Sequence, residues 1–333
     1  MALSLLPQII LSSPMKRCFS ALALVLAVTA CTLASAEDAF PLKAKRILFL
    51  GDSITAAGEY VYMIDMQLRL QSTGSIPVII NAGLPSENVT GLSEPDHPFP
   101  RPNVHERLDR ALSMFKPDVV VACYGMNDGI YYPFSEERFQ KYQSGINLLI
   151  EKVHAANAKL VLLTPPPFDA APLKAAGKLL PAGAEKYAWF AVYEGYDDVI
   201  QKYGKWILEQ KDRVEMVVDV YSPSMEFWTE QRKKDPTFTV AADGVHCNST
   251  GHRTLAEAIL KAWGITKWIE PTGEMTQLSN QQGSVLHDAW LSHIGHKRPG
   301  TGTGLPLPEA ESKAAEIEKQ LQPLVEKMRA AAR

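Results

Sequence analysis

Short apolar runs alternate with amphipathic stretches from residue 46 to residue 264. Residues 47–50, 77–80, 118–124, 159–163 and 214–220 read as strands. The run at 118–124 is apolar nearly throughout, as a parallel strand covered on both faces should be. Helical patterns fall over 60–71, 104–115, 139–156, 185–210 and 222–234, with a further helix over 250–263. This alternation predicts an α/β fold in three layers, with helices on both faces of a central parallel sheet. Polar or glycine-containing clusters close four of the strands: 51–53, 81–83, 125–128 and 164–167. All should meet at the carboxyl edge of the sheet, where open α/β sheets bind ligands.

Three connections stand out. Residues 84–102 form a long Pro-, Gly-, Ser- and Asp-rich loop carrying His97 and Arg101, with His105 just beyond it. Loops of that length in a compact domain are usually functional or disordered. Residues 173–181 are a small insertion, and the loop 236–247 contains Asp243-Gly244-Val245-His246. Beyond residue 270 lies an extension: a segment to 296, a Pro/Gly-rich linker over 296–308 and a charged helix over 309–333. That helix carries Ile317, Leu321, Leu324, Val325 and Met328 as one apolar stripe, which reads as a docking face, with Pro323 expected to bend it.

The chain of 333 residues is 46% hydrophobic and 21% charged, enough for one α/β domain with decorations. A net charge of −3 offers no basic surface for nucleic acid. At the N-terminus, Lys16-Arg17, an apolar run over 19–33 and Ala34-Ser35-Ala36 have the layout of a secretory signal peptide. The expected division is therefore a signal peptide at 1–36, a catalytic domain at 37–269 and a C-terminal extension at 270–333. The product would be exported, periplasmic or extracellular, with no stable membrane span once the signal is removed. Val28-Thr29-Ala30-Cys31 loosely resembles a lipobox, so a lipid anchor on Cys31 is the alternative. Cleavage after Ala36 would leave Cys123 and Cys247, either as buried free thiols or as a disulfide that export permits. No Cys/His spacing resembles a zinc site, and no metal or other cofactor is expected.

The chemistry centres on Gly51-Asp52-Ser53, where the first strand hands over to a helix. Ser53 fits two roles there: an exposed nucleophile beside helix amides that favour negative charge, or a plain helix N-cap. The remaining clusters supply what acyl transfer requires of a serine. His246 can act as base, and Asp243, three residues earlier across a glycine turn, can orient it. The Gly83 amide, the Asn127 side-chain amide and the Ser53 amide can serve as oxyanion donors. Alone, each is an ordinary turn, cap or core residue; their order along successive strand ends is the informative feature.

Gly51-Asp52-Ser53-Ile54-Thr55, Asn81-Ala82-Gly83, Gly125-Met126-Asn127-Asp128 and Asp243-Gly244-Val245-His246 together resemble the sequence blocks of the SGNH/GDSL hydrolase superfamily. The resemblance covers about 46–264 and implies a flavodoxin-like, metal-free esterase or lipase. It implies Ser53, Asp243 and His246 as the triad, with Ser53, Gly83 and Asn127 as the oxyanion hole. The sequence departs from the family after Gly83, where Leu84-Pro85-Ser86-Glu87 stands in place of a Ser-Gly turn. The expected activity is hydrolysis of short acyl esters, such as acetyl groups on a carbohydrate. Tyr124, Tyr131, Tyr132 and Phe134 flank Asn127 as candidate sugar-stacking residues. The alternatives are a lipid or general short-chain esterase, lysophospholipase included, and, in another class, a non-catalytic glycan-binding or interaction module on the same fold. A nucleotide-binding flavodoxin-like protein is disfavoured, because the first turn has neither GxGxxG nor a P-loop pattern.

Overall fold

Arg46–Gly51 forms β1, whose residues 47–51 are buried, and the chain turns at Asp52 into a short helix, α1 (Ser53–Ala57), then α2 (Glu59–Gln71). The computed structural model describes residues 40–331 apart from residue 73. The expected signal peptide, with Cys31, lies outside the described residues. After β2 (Val78–Asn81) come the long loop, a 3-10 turn at Val104–Glu106, α3 (Leu108–Phe115) and β3 (Val119–Cys123). The chain continues through α4 (Glu136–Ala155), β4 (Lys159–Leu163) and α5 (Ala170–Ala175). Two short strands, β5 (Leu179–Leu180) and β6 (Val192–Tyr193), lead to α6 (Tyr196–Leu208), β7 (Met216–Val218) and α7 (Tyr221–Lys234). The last helices are α8 (Ser249–Ala262), α9 (Gly273–Ile294) and α10 (Leu307–Ala331).

Five strands pair in parallel in the order β2-β1-β3-β4-β7, flanked by helices. Every residue of β3 is buried, which its apolar run required. From β1 the chain moves outward to β2, then returns to β3 on the other side of β1. The crevice between β1 and β3 is thus the topological switch point, where such sheets bind ligands. Ser53 follows β1 and Asn127 follows β3, so both stand at its mouth.

The outcome departs from the sequence reading in two places. The helix expected over 185–210 is split. Ala188 and Ala191 exchange backbone hydrogen bonds of 3.0 and 2.9 Å, closing a tight turn with Trp189 and Phe190 at its tip. The helix begins only at Tyr196, which is buried at the far side of Gly195. Segment 273–294, assigned no structure from sequence, is the long helix α9. Its polar sequence hides a face of Met275, Trp290, Leu291 and Ile294, all buried. On α10, Ile317, Leu321 and Val325 are buried, and the last two join Met66, Leu70 and Met275 in a satellite core. Arg69 of α2 grips Glu318 through two bonds of 2.7 and 2.8 Å. The helix runs on through Pro323. No helix among the described residues is long and apolar enough to cross a membrane.

Candidate active site

The N-cap of α1 is Asp52, not Ser53: its carboxylate accepts the Ile54 amide at 2.9 Å. That frees the Ser53 hydroxyl. As the first residue of α1, Ser53 also carries one of the leading amides that no intrahelical carbonyl can accept. Burial pushes the Asp52 carboxyl up to about 6, against the pull of the Ile54 amide and of His246.

The Ser53 hydroxyl donates to His246 Nε2 at 2.8 Å, and His246 Nδ1 donates to an Asp243 oxygen at 2.6 Å. The other Asp243 oxygen accepts the backbone amides of Val245 and His246 at 3.0 and 2.8 Å. This turn needs Gly244: its φ is +81°, and a β-carbon there would lie 2.8 Å from the Asp169 carbonyl and the Phe168 ring. Partial burial raises the Asp243 carboxyl, but hydrogen bonds from His246 and the two amides outweigh it and hold the group well below the usual range. The hydrogen bond to Asp243 raises His246 above the ordinary imidazole value, with burial opposing.

Asn127 is fixed on both sides. Its Nδ2 donates to the Glu87 carbonyl at 3.1 Å, and its Oδ1 accepts from Tyr131 at 3.0 Å. One amide hydrogen is therefore left for the cavity. Glu87 is itself locked: Arg107 reaches it through bonds of 2.6 and 2.7 Å, and the Tyr124 hydroxyl donates at 2.6 Å. This fully buried ion pair holds the 84–88 segment against the end of β3.

Gly83 corrects the expectation. Its single amide hydrogen is already donated to Asn81 Oδ1 at 2.9 Å. A β-carbon at Gly83 would lie 2.5 Å from the Ala56 nitrogen, so the glycine serves the close approach of the chain after β2 to α1. The residue presented to the cavity is Ser86, a non-glycine residue at φ +67°, in the left-handed region. The Ser86 amide makes no hydrogen bond among the described residues. Sequence reasoning had one signal for this: the departure from the family pattern at 84–87.

These groups open onto a cavity of about 600 Å³. Its walls come from the long loop (His97, Phe99, Arg101), from Tyr131, and from Trp189 and Phe190 at the tip of the 188–191 turn. Trp189 and Phe190 are 51% and 54% exposed, unusually so for large aromatic side chains. Of the aromatics singled out in the sequence, only Tyr131 lines the cavity. Tyr124 is buried on Glu87, Tyr132 packs edge-on to Tyr187, and Phe134 packs on Phe139. His105 is turned away, donating to the Gly145 carbonyl at 3.0 Å. Cys123 and Cys247 are both free thiols; burial pushes Cys247 up to about 12 and Cys123 well above its ordinary value, so neither is a nucleophile at neutral pH. Among the described residues no group of three or more His, Cys, Asp or Glu is placed to hold a metal ion.

A family model described as the GDSL-like lipase/acylhydrolase family matches residues 49–254. No curated protein matches the sequence. Among solved structures, the chain is similar to a gut microbial diltiazem-metabolizing enzyme, at 20% identity and a TM-score of 0.52, over 67% of this chain and 47% of that one. The chain thus spans about half the length of that enzyme. It is also similar to an alpha/beta hydrolase from the metagenome of Lake Arreo, Spain, at 20% identity, a TM-score of 0.49, and coverage of 67% and 97%. An acetylxylan esterase from Geobacillus stearothermophilus matches at 20% identity, a TM-score of 0.46, and coverage of 68% and 97%. At such identities the first of these likenesses speaks to the fold alone.

Proposed function

Because the chain belongs to the GDSL-like lipase/acylhydrolase family, we propose that it is a serine esterase that cleaves short acyl esters, acetyl esters of a carbohydrate above all, through an acyl-enzyme. The observation that carries this reading is the continuous hydrogen-bonded line from Ser53 through His246 to Asp243, ending at the open cavity. His246 takes the Ser53 proton as Oγ attacks the ester carbonyl, and Asp243 stabilises the imidazolium. The tetrahedral oxyanion is met by the amides of Ser53 and Ser86 and by Asn127 Nδ2. Each such donor contributes roughly 2.7–4 kcal/mol in a serine hydrolase. His246 then protonates the leaving alcohol and activates the water that frees the acyl group. On this reading the hydrolase domain is 37–269 and the segment 270–333 is its extension.

The substrate assignment rests on the walls. The exposed faces of Trp189 and Phe190, with Tyr131, offer flat apolar surfaces beside polar groups, which suits a sugar ring. The test is a series of p-nitrophenyl esters of rising acyl length, run beside acetylated glycans. Acetate esters and acetylated glycans should be turned over, with kcat/KM falling by tenfold or more at long acyl lengths. Preference for long-chain lipid esters, with no deacetylation of any glycan, would overturn the substrate assignment and favour a lipid esterase.

Export is part of the same proposal, carried by the layout of residues 16–36. N-terminal sequencing of the processed protein should begin at Glu37. A chain beginning at Cys31 and carrying lipid would establish the anchored alternative, and an unprocessed chain would remove export altogether.

A further inference from the structure

The charged side chains around the cavity are unevenly matched. Arg101, Lys178, Arg298 and the imidazoles of His97 and His246 line it, against one carboxylate, Asp243, which His246 already engages. Arg101 is neutralised from behind by Glu94, through bonds of 2.6 and 2.7 Å. Lys178 makes no ion pair among the described residues.

Arg298 is the more telling group. It lies on the linker between α9 and α10, so the C-terminal extension contributes to this wall. Its Nη1 donates to the Pro299 carbonyl at 3.0 Å and to Thr301 Oγ1 at 3.1 Å, and its guanidinium sits 5.1 Å from the centre of the Phe99 ring. These contacts fix the head group without neutralising it. Its Nε is enclosed and has no acceptor, and no carboxylate among the described residues pairs with it. Arg69, Arg107 and Arg232, by contrast, each hold a carboxylate at 2.5–2.7 Å. Partial burial lowers the Arg298 pKa, with no carboxylate pulling the other way. An arriving anion would supply the counter-charge that the protein does not. Both Nη1 hydrogens are already donated and Nε is enclosed, so Nη2 is the donor Arg298 can offer an incoming carboxylate, in a charge-assisted hydrogen bond.

We propose that the alcohol side of the ester carries a carboxylate, as in an acetylated uronic-acid glycan, and that Arg298 receives it. This rests on the cavity being the ester site. Trp189 and Phe190 take the sugar ring.

The test measures binding, so that it stands apart from turnover. The full chain carrying Ser53→Ala is titrated calorimetrically with acetylated oligogalacturonate and with an acetylated xylo-oligosaccharide of equal length. The acidic ligand should bind about tenfold or more tightly, as expected for a hydrogen bond to a charged group. The advantage should shrink at high salt, vanish on adding Arg298→Gln, and survive in part with Arg298→Lys, which retains the charge. Equal affinity for the two glycans, an advantage that persists in Arg298→Gln, or tighter binding of a lysophospholipid than of either glycan would overturn the proposal. Absence of p-nitrophenyl acetate turnover by the wild-type chain would instead strike the esterase reading, and leaves these binding outcomes as they are.

Discussion

Replacing His246 by alanine is expected to lower kcat for acetate esters by about 10⁶-fold, the scale seen when the histidine of a serine-hydrolase triad is removed. The structure explains why no other group substitutes. His246 Nε2 is the acceptor within 2.8 Å of the Ser53 hydroxyl. The buried Asp52 spends Oδ1 on the Ile54 amide at 2.9 Å. What remains would come from the oxyanion donors and from binding, roughly 10³–10⁴ over water. Steady-state kinetics on the variant, with circular dichroism to show that it is folded, checks this. A loss smaller than about a hundredfold would remove His246 as the base, given that a positioned base alone contributes about 10²–10⁴.

Asp243→Asn is expected to lower kcat by about 10⁴-fold, because an amide in that place favours the wrong tautomer of the imidazole. It should also move the pH profile, and the sign is fixed by the geometry. The reaction needs neutral His246. Activity is therefore complete above the His246 pKa and is lost as pH falls through it. In the wild-type chain the hydrogen bond to Asp243 holds that pKa above the ordinary 6.5, so the acid limb of kcat/KM should lie above 6.5. In Asp243→Asn the largest raising influence is gone, leaving burial against the smaller pull of Asp52, so the limb should move to lower pH. A limb unmoved by the substitution would assign the titration to another group, such as Asp52, which burial pushes up to about 6.

How far the sequence discloses all this depends on how local each signal is. Val119–Cys123 is a buried strand because it is apolar on both faces, and that is visible in five consecutive residues. Asp243 and His246 are three residues apart, and their contact is made by the turn between them. Ser53 and His246 are far apart in sequence, yet each sits at an element end that the alternation of strands and helices brings to one edge. The readings that did not hold depended on long-range packing. The Tyr187-Ala188-Trp189-Phe190-Ala191 stretch has enough apolar character for a helix, and only the bonds between Ala188 and Ala191 make it a tight turn. Helix α9 shows its apolar face only against α2, α3, α10 and β2. In sequence Gly83 offers an open amide because glycine leaves room. In the fold that room is taken up by the backbone at Ala56, and Ser86 three residues later faces the cavity instead. Nothing in Arg298-Pro299-Gly300 distinguishes it from a solvated linker until Arg298 is seen lining the cavity.

The central claim is that Ser53 is the nucleophile, and the most direct measurement is covalent trapping. The wild-type chain is treated with a fluorophosphonate, its residual esterase activity followed, and the labelled peptide located by mass spectrometry. The account predicts complete inactivation at one phosphonyl group per chain, on the peptide carrying Ser53, with no label on that peptide in Ser53→Ala. Full activity after exposure, or stoichiometric label on a different residue, would contradict it.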